Sequence, residues 1–491
     1  MEKNSDFTEN IKQSALVVGL CVGAFLLGAV VIGAGSQTLI FGVLMIFVIG
    51  TAVCFALDFP VITAVRFAFI ASFFFKADVN LMKIDEIEDP SGFNLSLTVL
   101  TALILLVSDQ FTDESREKVF PTSFSVILGS LFVCAVVSVI YGSSNLLGWF
   151  SVWSFLTSIL IAFVIASHFS RRERLIQLVS GVAGGLVFTG FISATQYFLD
   201  FPTNLAAFGT GTEEELLGTQ SQLLSRVPAF LRTPTEMAWI ISALIPLVLA
   251  PIICRVKNFH SFQKILFWSA VMAGIVAVIL SLARGSWISL LVAAAILILF
   301  GWMRLSKSEK RNYFFSITGA GILVCVLLAP FSARIYERLT ADDEGSALIR
   351  VPLMETAVRM IEDNALVGVG LNGYRANMDR YDETEIFVTK VFPNPVHNVF
   401  AHITAEIGIP GGIIFCLLIC AALFECFKAM QSKDRLLFAI ALGVFAGLVA
   451  FVISAMKEPG SLGSVRPPMR TLFFLFGTIL AVSRIRRQLF L

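Results

Sequence analysis

The sequence predicts an all-α polytopic membrane protein with about fourteen transmembrane helices and a long external loop carrying short amphipathic helices. Three observations predict it. The 491 residues are 57% hydrophobic and 14% charged, where soluble domains carry roughly a quarter charged residues. Apolar runs of the length that carries a helix across about 30 Å of hydrocarbon recur from Ser14 almost to the C-terminus. The 36 basic and 35 acidic residues leave a net charge of +1, which excludes a nucleic-acid binder held by bulk positive charge.

In chain order the runs fall near 14–34, 38–57, 60–75, 93–108, 123–141, 147–167, 175–199, 235–253, 264–281, 286–303, 313–331, 399–426, 436–455 and 470–484. The stretch from Pro60 to Phe75 is short and carries Arg66, so it reads as a span or as a re-entrant segment. The run after Lys3 and Lys12 is long enough to span and is followed at once by another, so no cleavable signal peptide is expected. No internal repeat is visible. The chain therefore divides into N-terminal transmembrane helices (1–199), an external loop (200–233), a second helical group (234–331), a large external loop (332–397) and C-terminal helices (398–491).

Basic residues set the orientation. Arg171, Arg172 and Arg174; Arg255, Lys257 and Lys264; Arg304, Lys307, Lys310 and Arg311; Lys428, Lys433 and Arg435; and Arg484, Arg486 and Arg487 all fall on one side with the N-terminus. By the positive-inside rule that side is cytoplasmic, so both termini are expected there and the two long loops on the opposite face. The eight cysteines lie in or at the ends of apolar runs and read as small buried hydrophobes, with no loop cluster for a disulfide framework or a zinc site. The acidic stretches Glu213-Glu214-Glu215 and Asp342-Asp343-Glu344 read as solvated loop. No metal and no cofactor is assigned.

Arginines on the external face are the informative residues. Arg226 and Arg232 precede the helix that opens near Pro234, Arg284 interrupts an apolar hairpin in Leu282-Ala283-Arg284-Gly285-Ser286-Trp287, and Arg350 and Arg359 lie on a segment with the pattern of an interfacial amphipathic helix. A guanidinium at the mouth of a bundle is costly unless hydrated or paired, so Arg284 either snorkels to headgroups or binds an anion. Arginine suits phosphate because its planar fork donates two parallel hydrogen bonds and stays charged. Arginines converging outside the membrane are what a metal-free diphosphate site needs, and polyprenyl-linked sugars present a diphosphate on that face. His397 and His402 sit where the second loop re-enters the membrane. His402 and Glu406 are four apart on one helical face, so mutual hydrogen bonding accounts for both. Gly368-Val369-Gly370-Leu371-Asn372-Gly373 matches the letters of a dinucleotide fingerprint but lacks the strand and helix of a βαβ unit. It reads as a tight turn whose flexibility lets the loop fold back over the membrane surface.

His397-Asn398 is followed after nine residues by Gly408 and, after two more, by Gly411. This fits the H-[N/S/Q]-x9-G-x-x-G signature and, from Arg226 to Gly411, the chain resembles the O-antigen ligase and O-antigen polymerase superfamily of bacterial envelope enzymes. RVPAFLRTPTEMA from Arg226 looks like that family's R-x-x-G-T-F-x-N-P-N segment, LARGSW like its S-R-G-x-W segment, and Arg350 to Tyr374 like its R…P-L-x-G-x-G-x-x-x-Y segment. Thr233-Pro234-Thr235 stands for Asn-Pro-Asn, Ala283 for serine and Ala229 for glycine. These departures leave the charged residues intact and leave Arg232 a rival to Arg226.

The resemblance implies metal-independent glycosyl transfer in the bacterial inner membrane, on the periplasmic face, from an undecaprenyl-diphosphate-linked oligosaccharide to a glycan hydroxyl. In that reading Arg226 and Arg284 hold the diphosphate and His397 takes the acceptor proton; Arg350, Arg232, Asn398 and Arg359 are further substrate contacts. About fourteen spans, more than is usual in lipopolysaccharide ligases, favour a polymerase of an O-antigen, capsule or exopolysaccharide. A ligase to lipid A-core shares every motif. A chain-length regulator and a flippase of the same pathway are implied as partners, beside membrane lipids and with no nucleic acid. A glycan transporter is the reading from another class; it needs polar residues along a central path, and the spans hold little beyond Arg66.

Overall fold

The computed structural model describes residues 61–74, 78–83, 92–109, 119–142, 145–198, 227–229, 231, 233–257, 259–340, 346–464 and 467–489. The runs at 14–34 and 38–57, both acidic stretches, Arg226 and Arg232 lie outside these residues.

The chain enters as α1 (Val61–Ala71), a 3-10 turn (Ser72–Phe74) and an antiparallel hairpin of β1 (Asp78–Lys83) and β2 (Gly92–Ser96), followed by α2 (Leu97–Asp109). α3 (Thr122–Tyr141), α4 (Asn145–His168), α5 (Arg172–Phe198), α6 (Pro234–Ile253), α7 (Ser261–Leu280), α8 (Arg284–Arg304) and α9 (Lys307–Leu328) follow. The large loop holds α10 (Ser332–Thr340), α11 (Ser346–Asp363), α12 (Tyr374–Asn377) and α13 (Val388–Val391), before α14 (Val399–Met430), α15 (Arg435–Ala455) and α16 (Pro467–Gln488) complete the bundle. Among the described residues nine helices, α3 to α8 and α14 to α16, are long and apolar enough to cross a membrane. Apart from the hairpin the protein is all-α, as the runs predict. The 60–75 stretch differs: α1 covers 11 residues, a rise of about 16 Å and well short of the hydrocarbon thickness. Its Arg66 is buried.

α15 is the centre of the bundle, packed against α6, α8, α14 and α16. Lipid supplies no hydrophobic drive for helix association, so close backbone approach and polar contacts must do it. Both are present. Gly443 and Gly447, four apart on α15, face α6 so closely that a Cβ on Gly447 would stand 2.4 Å from the Ala243 carbonyl oxygen. Hydroxyls link three helices: Ser454 Oγ donates to Ser289 Oγ at 3.2 Å and Ser289 Oγ reaches Ser242 Oγ at 3.4 Å. Trp239 Nε1 donates to the Phe451 carbonyl across the same interface.

The thiols divide between two environments. Cys254 and Cys426 are buried, but Cys325, Cys416 and Cys420 are exposed on apolar helix surfaces, and all six described cysteines are free. The expectation of burial therefore holds for only some of them: an outward face of a spanning helix meets hydrocarbon, which suits a small thiol as well as the interior does.

The basic clusters gather at one end, where several of their members tie helix ends together. Arg172 pairs with Asp434, Arg435 grips Glu309 at 2.7 and 3.1 Å, Arg304 donates to the Ser432 carbonyl and Arg486 to that of Lys428. The helix ends bearing Arg284 and His397 lie at the other end of the bundle.

Leucine in place of Gly447 is expected to push α6 and α15 apart, because its side chain meets backbone that cannot move aside. The yield of monodisperse protein in detergent should fall sharply, measured by fluorescence-detected gel filtration.

Candidate functional site

The site is built on a broken helix. α14 loses helical geometry at Gly408, where φ is 75° and ψ 171°, and Pro410 follows two residues later. In an unbroken helix the Glu406 carbonyl would accept from residue 410, but proline has no N–H to give. Its acceptor capacity is filled from elsewhere: Gly370 N donates to it at 3.1 Å and Ser138 Oγ, from α3, at 2.8 Å. The Ala405 carbonyl accepts instead from Val369 N at 2.9 Å, and the displaced Ile409 N donates to the Ala365 carbonyl at 2.8 Å. Residues 365–370 therefore form a strap that repairs the break. Only glycine fits at Gly368, with φ 76° and no room for a Cβ, which would stand 2.3 Å from the Glu406 carbonyl.

This is where the glycine run differs from its expected role. Gly368 and Gly370 do turn the chain, but they dock it onto α14 through backbone hydrogen bonds rather than leaving it free. α11, just before the strap, buries Leu353, Thr356, Ala357 and Met360 and exposes Val351, Glu355 and Val358, the amphipathic pattern expected. Beyond the strap, the loop is pinned by Asp382. Burial opposes its charge, but hydrogen bonds from N and Oγ1 of both Thr384 and Thr389 outweigh that and hold its carboxyl below the usual carboxylate range.

Between the strap, the start of α14 and the loop after α15 lies a narrow polar cleft lined by Tyr374, Arg375, Pro395, His402, Glu406 and Ser461, among others. His402 and Glu406 are buried, with Nε2 3.3 Å from the carboxylate. Ser461 Oγ donates to the second carboxylate oxygen. The Tyr374 ring meets the His402 ring edge-on at 4.7 Å. Burial raises the Tyr374 phenol, and the nearby Glu406 charge adds to that, so it remains a neutral hydroxyl. His402 Nδ1 is buried without a hydrogen-bond partner, which costs about 1–3 kcal/mol in a protein interior.

Beside the cleft is a cationic corner. Leu282 adopts a left-handed conformation at φ 54° and turns the chain so that Arg284 opens α8, half-buried at the helix N-terminus. The Lys457 side chain runs alongside, its Cδ 3.3 Å from where a Cβ on Gly285 would stand. The segment after Arg226 comes to the same corner: Val227 N donates to the Leu280 carbonyl, and the Gln196 side chain clamps Ala229 from both sides, at 2.9 and 3.1 Å. Ala229 takes φ 51°, which explains why glycine suits that position in the resembling motif. Thr233 caps α6 by accepting from Glu236 N, with Pro234 opening the helix. Threonine thus performs the capping that asparagine would.

The sequence candidates are distributed as follows. His397 is half-buried beside Phe392, at a ring separation of 6.0 Å, two residues from Pro395 of the cleft. Asn398 is the N-cap of α14, its side chain accepting from Phe400 N and Ala401 N. Arg350 is exposed on α11, and Arg359 faces Glu383 at 3.6 Å. Sequence reasoning passed over three features: the loop after α15 with Lys457 and Ser461, the buried Glu236 in the first turn of α6, and Ser138. Only Glu236 had a usable signal, a carboxylate at the mouth of an apolar run, where the helix dipole favours it.

The O-antigen ligase family model matches residues 269–416. The matched segment contains Arg284, Arg350, the strap, His397 and the break at Gly408, and it stops before the loop that carries Lys457 and Ser461. A search of curated proteins found no match.

Alanine at Gly368 should force the strap off α14, because the added Cβ collides with backbone and the left-handed conformation costs a further 1–2 kcal/mol or so. Ser138→Ala removes a single hydrogen bond worth about 1 kcal/mol. Thermal unfolding in detergent, followed by tryptophan fluorescence, should show a much larger fall in Tm for Gly368→Ala than for Ser138→Ala.

Proposed function

We propose that this member of the O-antigen ligase and polymerase superfamily transfers an oligosaccharide from undecaprenyl diphosphate to a glycan hydroxyl on the periplasmic face, as a polymerase of an O-antigen, capsule or exopolysaccharide. What supports the reading is the corner where Arg284 opens α8 with Lys457 alongside and the chain after Arg226 hydrogen-bonded to the end of α7, on the same end of the bundle as the Asn398-capped start of α14. Membership in the superfamily supports glycosyl transfer between lipid-linked and acceptor glycans.

In the proposed step the acceptor hydroxyl attacks the anomeric carbon, the bond from that carbon to the diphosphate oxygen breaks, and undecaprenyl diphosphate leaves with the bonding pair. His397 accepts the hydroxyl proton, a task for which imidazole is suited near neutral pH. Negative charge grows on the leaving oxygen, so cations fixed near it stabilise the transition state more than the ground state. Arg284 is in place for that role, with Arg226 or Arg232 from the neighbouring segment. The N-terminus of α8 adds its dipole in the same sense. Arg350, exposed on α11, is the candidate for glycan or a second diphosphate contact. Asn398 acts through position, because capping α14 sets the direction in which His397 leaves the helix. Arg359, facing Glu383 across the large loop, is a further candidate for a glycan contact.

His397→Ala and Arg284→Ala, each expressed in a strain lacking the gene, should abolish high-molecular-weight glycan on a gel while the protein still inserts at normal levels. Removal of a general base costs on the order of 10²–10⁴ in rate. Arg284→Lys should also be poor, because a point charge does not replace the fork. Normal glycan from both alanine variants would refute the assignment. The gel also separates the two activities of the superfamily: single repeats left on the acceptor mark a lost polymerase, and no transferred glycan marks a lost ligase.

A further inference from the structure

We infer that the cleft between the strap, α14 and the loop after α15 binds a sugar hydroxyl of the acceptor glycan, and that His402, oriented by Glu406, is the group that reads it. The inference rests on the glycosyl-transfer reading above and adds a subsite that neither the family signature nor the candidate arginines assign.

His402 Nε2 faces the Glu406 carboxylate at 3.3 Å, which makes that nitrogen the N–H donor. The neutral ring then presents a lone pair at Nδ1, and Nδ1 is buried and without a hydrogen-bond partner. Glu406 is itself held, by Ser461 Oγ on one oxygen and His402 on the other. Most buried polar atoms in proteins are satisfied, so an unpartnered nitrogen beside a cleft marks a place where a ligand would supply the missing hydrogen bond. Here the nitrogen belongs to a residue that lines a cleft, with Arg375 and Ser461 also on its walls and the edge-on ring of Tyr374 fixing the imidazole plane.

The ligand chemistry follows from the charges. Arg375 lines the cleft too, but the group aimed into it beside Glu406 is an imidazole nitrogen with a lone pair, which an anion cannot satisfy and a hydroxyl can. The cleft suits a neutral O–H that donates to Nδ1. The cavity is small, about 40 Å³, which accommodates the hydroxyl edge of a pyranose rather than the whole ring. The acceptor is favoured over the donor sugar because Pro395, two residues before the proposed base His397, lines the same cleft.

The test uses full-length protein in detergent, undecaprenyl-diphosphate-linked repeat unit as donor and the repeat-unit oligosaccharide carrying a p-nitrophenyl aglycone as acceptor. His402→Gln keeps an N–H where Nε2 stood, so the Glu406 contact survives while the Nδ1 lone pair is lost. The acceptor KM should rise about tenfold, the equivalent of roughly 1.4 kcal/mol, with the donor KM and Tm unchanged. An unchanged acceptor KM, or a rise confined to the donor KM, would overturn the inference. If the variant does not fold, monodeoxy acceptors on the unmodified protein decide: one position should show a comparable rise in KM, and a uniform response at every position would overturn it. His397→Ala in the same assay keeps the two readings apart. Activity in that variant defeats the glycosyl-transfer mechanism, whereas an inactive His397→Ala beside a His402→Gln protein with normal acceptor KM defeats only the subsite.

Discussion

The Glu406 carbonyl, deprived of a helical partner by Pro410, is the constraint on which the rest of the active end depends. A spanning helix that breaks inside a bundle must return every freed backbone group to a partner. The strap and Ser138 do so together, and that need brings α3, the end of α11 and the start of α14 to a common point. The same break ends the turn that carries His402 and Glu406. The helix N-terminus therefore projects as a short rigid unit whose direction is fixed by three separate segments.

Charge is sorted along the bundle by the same economy. At one end the arginines of the loops find carboxylates and carbonyls, so the basic excess that marks orientation is also what ties the helix ends together. At the other end cations stand at the start of α8 and beside it. Low net charge over the whole chain thus hides a division: paired charge at one face and, at the other, cations gathered round a helix N-terminus whose partial charge has the same sign.

Much of this was legible from sequence, and the illegible part has a physical reason. Spans were readable because the bilayer fixes both their length and their composition; the boundaries of α6 to α8 and α14 to α16 follow the apolar runs within a few residues. The signature from His397 to Gly411 was readable as letters, and Asn398 and Gly408 turn out to be an N-cap and a helix break, both local effects. Their partners were not readable. Gly370 lies far from Glu406 in the chain and Ser138 farther still, and a single glycine or serine carries no pattern that announces a distant carbonyl. The glycine run is legible as a tight turn, but the dock it makes on α14 is not. Ser461 and Lys457 escaped for the same reason: a short polar turn between two spans looks like any other.

The two halves of the site make opposite electrostatic demands, and the loop after α15 reconciles them. A diphosphate is favoured by cations and disfavoured by nearby carboxylates; the buried His402–Glu406 pair is held by hydrogen bonds from a hydroxyl and an imidazole. Two unit charges in a partly desolvated site interact by about 4 kcal/mol at 4 Å with an effective dielectric of 20, falling in proportion to distance. A carboxylate set directly beside a cation at a diphosphate site would offset its charge. The loop prevents this by spanning both regions, with Lys457 at the arginine end and Ser461 on Glu406 at the other. The carboxylate is satisfied by a neutral hydroxyl and an imidazole, so its buried charge draws no cation away from the neighbouring corner. In the proposed arrangement an acceptor lying along the loop between the two would face imidazole on one side and the leaving group on the other.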